Sequence, residues 1–198
     1  MPRHRPLRVA HGFTLIELLL AVSLAAVVAG MAVPLTGSAV DELRTGAAAR
    51  YLAARIVNGR MDAVRRSTSI GLRFEPSGAD YMLVPYTDGN GNGIRTIDIQ
   101  RGVDAPVGPA QRLSDSFPGV RFGLLPGLPD ADGLRSVSAD GVRIGGARIL
   151  STSADGTATS GTLYVRWRRA QYAVRVLGAT GRTRVLEYDT GARTWISR

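Results

Sequence analysis

The chain has 198 residues, no cysteine and a formal net charge of +9. Without cysteine, it has no disulfide, no thiolate metal site and no thiol nucleophile. Its two histidines, His4 and His11, both precede the first apolar run. No pair of carboxylates is singled out by its surroundings, and no glycine-rich segment has the lysine of a phosphate-binding loop. We therefore expect neither an enzyme nor a cofactor.

The amino terminus joins a short basic leader to a long apolar run. Arg3, Arg5 and Arg8 are positive, and no acid occurs among the first 12 residues. Between residues 13 and 33 the only ionisable side chain is Glu17, and about 20 apolar residues are what a helix needs to cross a bilayer. The run predicts a transmembrane segment at residues 13–35, with the basic end in the cytoplasm and the remainder outside.

Two features separate this segment from a secretory signal. Glu17 is an acid within the apolar run, which costs roughly 2.5–3.5 kcal/mol in a membrane and therefore marks a partner. Gly12 stands before the run, whereas the small-residue site of a secretory signal follows it. Cleavage after Gly12 would keep the apolar segment on the mature chain and make Phe13 its first residue.

The string Gly12-Phe-Thr-Leu-Ile-Glu17-Leu-Leu resembles the leader of type IV pilins and type II secretion pseudopilins. The resemblance implies that a prepilin peptidase cuts after Gly12 and, as an N-methyltransferase, methylates the amine of Phe13. It also implies that Glu17 neutralises that amine in a neighbouring subunit of a filament; a glutamate that snorkels from a helix end is the alternative. The implied location is the bacterial inner membrane and then a pilus or pseudopilus. The implied partners are the peptidase, other pilins or pseudopilins, and inner-membrane lipid.

Helical periodicity continues beyond the apolar run. Pro34 lacks the amide hydrogen that would bond to Gly30, which predicts a bend or loosening of the helix between them. Pilins have a proline at this distance from the cleavage site, and a kinking proline in any anchor is the alternative. Residues 36–67 predict an amphipathic helix with one face packed on the following domain. The residues of this predicted face are Val40, Leu43, Ala47, Tyr51, Ala54, Val57, Met61 and Val64.

Beyond residue 67 the pattern becomes extended. Short runs rich in β-branched and aromatic residues alternate with glycine, proline and aspartate, which predicts an antiparallel sheet or a pair of sheets packed on the helix. The expected fold is α+β and pilin-like, with a leader at residues 1–12 and a periplasmic β-rich domain at residues 68–198. A surface loop is predicted at residues 126–141. The predicted strands are 70–74, 81–86, 94–101, 120–124, 142–151, 162–167, 171–176, 183–188 and 194–197.

The outer domain resembles the GspH/FimT group of the pilin superfamily. The resemblance rests on the helix followed by many short strands, on the glycine-rich residues 88–93, and on Asp155-Gly-Thr-Ala leading into residues 161–165. It implies a minor pseudopilin of a type II secretion system, a structural subunit involved in protein secretion across the outer membrane. Two alternatives remain: a FimT-like minor pilin of a type IV pilus that binds DNA during uptake, and a soluble exported protein whose leader mimics a prepilin and is cut near Met31.

The glycine-rich segment also matches the opening of a calcium loop. Asp88, Asn90 and Asn92 supply alternate oxygens, and a glycine occupies the sixth position. The twelfth position should supply a bidentate carboxylate but is Ile99, and Asp98 falls one residue short. A glycine-asparagine turn between two strands explains the same residues through backbone conformation alone. The sequence favours the turn, with calcium as the alternative.

Positive charge is concentrated at the carboxyl end. Arginines and acids balance between residues 13 and 160, whereas residues 161–198 contain eight arginines and two acids. Clustered arginines beside an aromatic residue can bind phosphates and stack on bases, and Gly181-Arg-Thr-Arg resembles the string by which FimT-type minor pilins bind DNA, where it lies in a terminal tail. The alternative is the solvated face of an edge strand, on which charge discourages aggregation. The candidate DNA-binding residues are Arg166, Trp167, Arg168, Arg169, Arg182 and Arg184.

Overall fold

A computed structural model describes residues 12–134 and 138–198, with the side chains of residues 31–38 outside that description. The chain forms two compact units, Met1–Ala39 and Val40–Arg198. The helices are α1 (Leu15–Arg66), α2 (Thr96–Gln100) and α3 (Leu113–Ser116). The strands are β1 (Ile70–Ser77), β2 (Asp80–Thr87), β3 (Ala105–Pro106), β4 (Gln111–Arg112), β5 (Arg121–Phe122), β6 (Val142–Arg143), β7 (Ile149–Thr152), β8 (Gly161–Trp167), β9 (Ala170–Leu177), β10 (Arg182–Asp189) and β11 (Thr194–Ser197).

The predicted α+β, pilin-like arrangement is confirmed, because a long amino-terminal helix precedes an antiparallel β domain. Of the two predicted arrangements of strands, the pair of sheets is the one observed. The first sheet has the order β3-β2-β1-β7, with β4 also paired to β2. The second has the order β11-β10-β9-β8-β5, with β6 also paired to β8.

One core joins α1 to both sheets. Leu52 and Ile56 of α1 belong to the same buried cluster as Phe74 of the first sheet and Phe122 of the second. The rings of Phe74 and Phe122 meet edge to face with their centroids 5.5 Å apart, a favoured geometry for aromatic pairs. The helix between residues 40 and 66 is therefore an integral part of the β domain's core.

The membrane prediction is corrected by the structure. Within the described residues, no helix combines the length and the apolar character required to cross a membrane. The predicted single-pass inner-membrane location with its orientation is therefore wrong. The predicted transmembrane segment at residues 13–35 and the lipid partner rested on the same apolar run and are left without support. α1 is helical through Gly30 and Pro34, and the bend between them stays a prediction because the Pro34 side chain lies outside the described ones.

The face of α1 that docks on the β domain differs from the predicted one. At Gly46, an added Cβ would lie 3.1 Å from the Tyr172 hydroxyl, so the helix approaches the second sheet closely. Leu43 and Met61 of the predicted face are 68% and 66% exposed instead. The prediction was wrong at these two positions because the buried side of α1 is the one that carries the small residues together with Leu52 and Ile56. Tyr51 of the predicted face does pack against the core. The buried α1 residues are Thr45, Gly46, Ala48, Ala49, Leu52, Ile56 and Ala63.

Two predicted strands are also corrected. Residues 94–101 contain α2 rather than a strand, because buried carboxylates fix the backbone there: Asp104 accepts the amides of Gly89 at 3.1 Å and Arg95 at 3.0 Å. The predicted strand at residues 142–151 divides into β6 and β7, which belong to different sheets. The backbone turns between them at Arg148, whose φ is 50°.

Candidate functional site

The proposed processing site lies ahead of the first helical turn. Gly12 and Phe13 are exposed, Phe13 to 82%, and α1 begins at Leu15. Residues 1–11 of the leader lie outside the described residues. The peptide bond between Gly12 and Phe13 is therefore not locked in helical hydrogen bonds, which leaves it accessible in the way that a protease requires.

Glu17 has a local role that the sequence interpretation missed. The Thr14 hydroxyl accepts the Glu17 amide at 3.3 Å, and the Glu17 carboxylate accepts the Thr14 amide at 3.5 Å and the Thr14 hydroxyl at 3.4 Å. These reciprocal contacts form a capping box, with Thr14 as the residue that caps the helix and Glu17 as its third helical residue. The signal in the sequence was the spacing Thr-x-x-Glu. The negative charge of Glu17 is also favourable at the positive end of the helix dipole.

The outer side of α1 presents a row of large apolar side chains to solvent. Their exposures are 47% for Val40, 68% for Leu43, 41% for Val57, 66% for Met61 and 48% for Val64. Val40 and Leu43 are three residues apart, and Val57, Met61 and Val64 follow 14 residues later at spacings of four and three, which keeps both groups on one side of the helix. We call this set the outer stripe. Large apolar side chains exposed in groups on one side of a helix are a candidate interaction site.

A hydrogen-bonded pair of glutamates, Glu42 and Glu187, lies where α1 meets the carboxyl-terminal strands. The pKa of Glu42 is raised, first because its carboxyl shares a hydrogen bond with Glu187 and second because of burial. Burial acts to raise the pKa of Glu187 as well, but hydrogen bonds from Arg198 and Glu42 outweigh it and lower that pKa. Burial and the same carboxylates raise the pKa of Tyr172 to about 12. The pair holds a proton on Glu42 more tightly than a solvated carboxyl would.

This pair predicts a pH-dependent effect of Glu42→Gln. The folded-state pKa of Glu42 is raised. The favourable contribution of its protonated carboxyl to folding stability is therefore complete below the unfolded-state pKa, and it is lost as pH rises through the folded-state pKa. Glutamine mimics the protonated form, so we expect the variant to be more stable than wild type at about pH 7, by less than about 1 kcal/mol since Glu42 is exposed. The difference should shrink towards about pH 4, as urea denaturation at both values would measure.

Glu75→Gln is the matched control for this prediction. Glu75 lies 3.4 Å from Arg73, so its loss removes an attraction and should not stabilise the protein at neutral pH. A Glu42→Gln variant whose stability tracks wild type at every pH would show that the two glutamates do not share a proton.

The six candidate DNA-binding residues do not form one surface. The Trp167 indole donates to Asp41 of α1 at 2.9 Å, and Arg168 lies 3.3 Å from the same carboxylate. Both side chains are therefore held against α1 by the same carboxylate. Arg166 projects from the opposite face of β8, and its buried Nε has no hydrogen-bond partner among the described atoms. Arg169 belongs to the two-residue turn after β8.

Arg182 and Arg184 lie at the start of β10, away from the other four. Both are exposed, and neither forms an ion pair with a described residue. In the register Arg184 opposes Arg175, whereas Arg166 opposes Gln171. Arg175 and Gln171 are four residues apart on β9, which separates Arg184 from Arg166 by roughly 13 Å along the strand direction. Arg175 was missed by the sequence interpretation, because its place beside Arg184 depends on strand register.

The glycine-rich loop is closed by its own backbone. The Asp88 carboxylate accepts the amides of Asn90 at 3.0 Å, Gly91 at 2.8 Å and Gly93 at 2.6 Å. Burial acts to raise the pKa of Asp88, but these amides outweigh it and lower the pKa. The side chain of Asn92 donates to Asp98 at 3.1 Å. Among the described residues, no three or more acidic or histidine side chains are grouped so as to hold a metal ion.

Comparison with known proteins points to one superfamily. The family described as the Prokaryotic N-terminal methylation motif matches residues 7–33. A pilin-like protein, PilA1 of Thermus thermophilus, is 37% identical over 81 residues, which cover 41% of this chain and 50% of that protein. The amino-terminal motif and the pilin-like relative together support a place in the type IV pilin and pseudopilin superfamily. The matched motif contains Gly12, Phe13 and Glu17, so the leader interpretation is confirmed at the level of the superfamily.

The chain spans about half the length of the curated relative that it matches. No solved structure matches it. Pilin-like proteins of this kind are structural rather than enzymatic.

Proposed function

We propose that the protein is a minor pseudopilin, a structural subunit of the pseudopilus of a type II secretion system. The observation that carries the proposal is the outer stripe, an apolar surface on the side of α1 that the β domain leaves uncovered. Helices with such a surface associate with other helices through apolar packing. The choice of a pseudopilin within the superfamily rests on the sequence resemblance to the GspH/FimT group.

Assembly in this proposal begins with the new amino terminus. After cleavage, the methylated amine of Phe13 carries positive charge, and Glu17 of a neighbouring subunit neutralises it. The capping box does not prevent this contact, because its bonds of 3.3–3.5 Å are long and therefore weak. Glu17 has the charge that the amine requires, and its exposure makes it accessible to a second chain.

We expect the mature protein to begin with N-methylated Phe13, because the peptide bond after Gly12 lies outside the helix and within the matched motif. Mass spectrometry of the intact protein, purified from cells that contain a prepilin peptidase, would measure it. Cells without the peptidase are the control and should yield the uncut chain. A mature chain that begins beyond Met31 would contradict the proposal and support a soluble exported protein whose leader mimics a prepilin.

A second candidate is a FimT-like minor pilin that binds DNA during uptake. The observation that favours it is the exposure of Arg182 and Arg184 without ion-pair partners among the described residues. Both occur in the string that resembles the DNA-binding one. In this protein the string opens β10, and β11 pairs with the far end of that strand, so the arginines lie on a sheet rather than in a tail. Phosphate contacts from a rigid sheet bind without reading sequence.

A further inference from the structure

A row of polar side chains crosses the second sheet. The strand register opposes Arg143 to Thr162, Thr162 to Arg175, and Arg175 to Arg184. Directly opposed residues of antiparallel strands point to the same face, with their Cβ atoms about 4.5–5.5 Å apart. We call these four residues the arginine row. It lies on the face opposite α1, because Tyr164, two residues beyond Thr162, packs with Leu124 in a separate cluster outside the main core.

Two aspartates of the loop after β5 neutralise part of the arginine row. Asp130 lies 3.7 Å from Arg143, and Asp132 lies 2.5 Å from Arg175. The loop is anchored beside the row, since the Tyr164 hydroxyl accepts the amide of Ala131 at 2.9 Å. A face with three arginines is thus partly paired from within the same chain.

The two ion pairs differ in how easily they can be broken. The Asp130 side chain is 17% exposed, and its carboxylate also accepts the amides of Asp132 and Leu134. The Asp132 side chain is 65% exposed, and Arg175 is its single partner among the described residues. Exposed ion pairs contribute little to stability. Asp132 is therefore the displaceable member, and Asp130 is the fixed one.

Space and hydrogen-bond donors lie beside the displaceable pair. Asp132, Thr162 and Arg175 line a cleft of about 450 Å³, together with the hydroxyl of Ser160. Arg184 adds an exposed guanidinium one strand away and has no ion pair with a described residue. Two guanidinium groups and nearby hydroxyls are the donors that bind phosphate-type oxyanions, and arginine does so with two parallel hydrogen bonds.

We propose that Arg175, Arg184 and Thr162 bind a phosphate-type oxyanion, and that Asp132 is a built-in competitor which the ligand displaces. The oxyanion is either free phosphate or a phosphodiester of single-stranded nucleic acid. Binding exchanges the exposed Asp132 carboxylate for an anion that reaches two arginines at once, while Asp130 keeps Arg143 in place. The proposal does not depend on the filament role. It shares Arg184 with the DNA-binding candidate, whereas Arg175 and Asp132 belong to the proposed oxyanion site alone.

The test is the removal of the competitor by Asp132→Asn in the full-length protein. Fluorescence anisotropy with a labelled oligothymidylate should show binding tightened by about 3- to 10-fold relative to wild type, because Arg175 no longer has a carboxylate to lose. The slope of log affinity against log salt should steepen by about 0.7, the value for one additional phosphate contact on a single strand. Arg175→Gln should abolish the gain, so that the double variant binds like Arg175→Gln alone.

Asp62→Asn is the matched control. It makes the same change in net charge and also frees an arginine, Arg65, from an ion pair of 2.7 Å, but on α1. Equal tightening by Asp62→Asn would reduce the effect to net charge and overturn the proposal. If the wild type binds the oligonucleotide and Asp132→Asn leaves the affinity unchanged, the oxyanion site is overturned. The DNA-binding candidate function would survive that result.

Inorganic phosphate separates the two sources of the oxyanion. If no variant binds the oligonucleotide but phosphate raises the melting temperature of Asp132→Asn more than that of wild type, the site is supported and its ligand is a free anion. If neither probe distinguishes the variant from wild type, the oxyanion site is overturned, whatever the fate of the filament role.

Discussion

Replacing Leu52 with alanine is expected to lower the free energy of unfolding by about 2–5 kcal/mol, the range for leucine-to-alanine changes in well-packed cores. Leu52 is fully buried where α1 meets both sheets. Urea denaturation of the full-length chain, followed by circular dichroism, would measure the change. Met61→Gln on the same helix is the control, since Met61 is 66% exposed and glutamine is a good helix former. Its effect should stay within about 0.5 kcal/mol.

For assembly with partner subunits, we expect exposed residues of α1 to matter more than buried ones. Leu43→Gln and Met61→Gln together place polar groups on the outer stripe and should sharply reduce co-purification with partner subunits, while the fold remains intact. The physical reason is that a polar amide buried between helices without a partner is costly. A double variant that folds normally and assembles at wild-type levels would show that the outer stripe is not the assembly surface.

Gly141→Ala is expected to destabilise the β domain by about 3 kcal/mol or more, because the new methyl group has no space. An added Cβ would lie 2.1 Å from the amide nitrogen of Gly123 and 2.7 Å from the carbonyl carbon of Phe122, both of which are backbone atoms. The backbone cannot simply withdraw, since the Gly141 carbonyl accepts the amide of Tyr164 at 2.7 Å.

Thermal denaturation compared with Gly146→Ala tests this expectation. Gly146 has no atom within 4 Å of an added Cβ and no positive φ, so alanine there should be neutral or stabilising by about 0.4–1 kcal/mol through the unfolded state. Equal melting temperatures for the two variants would mean that the backbone near Gly123 yields at little cost.

The elements with local signals were predictable from sequence. The helical period predicted the start of α1 to within two residues. This was possible because the spacing of apolar residues depends only on neighbouring turns of the helix. Most strands followed from alternation. The docking face of α1 was not predictable in this way, because the helix has apolar residues on two sides and hydrophobicity alone favours the larger ones. The side with Ala48 and Ala49 is buried because the sheet lies close, which is a tertiary fact.

The candidate sites divide along the same line. Gly12, Phe13 and Glu17 could be found because the leader is contiguous, and all three lie within the matched residues 7–33. Composition alone could not predict which of the arginines lie together on one surface. Trp167 is fixed by Asp41, which lies 126 positions earlier in the chain. Arg143 and Arg175 share a row only because β8 lies between their strands. Strand register brings distant residues together, and no local pattern records it.

The separation of the two sides of α1 has a consequence for how such a protein can evolve. Folding constrains Leu52, Ile56 and the small residues around them, while the solvent side of the same helix is free of that constraint. A substitution at Leu43 or Met61 changes which helix fits against it and leaves the core unchanged. A duplicated gene can therefore acquire a new neighbour by a few mutations, each of them tolerated by the fold from the start.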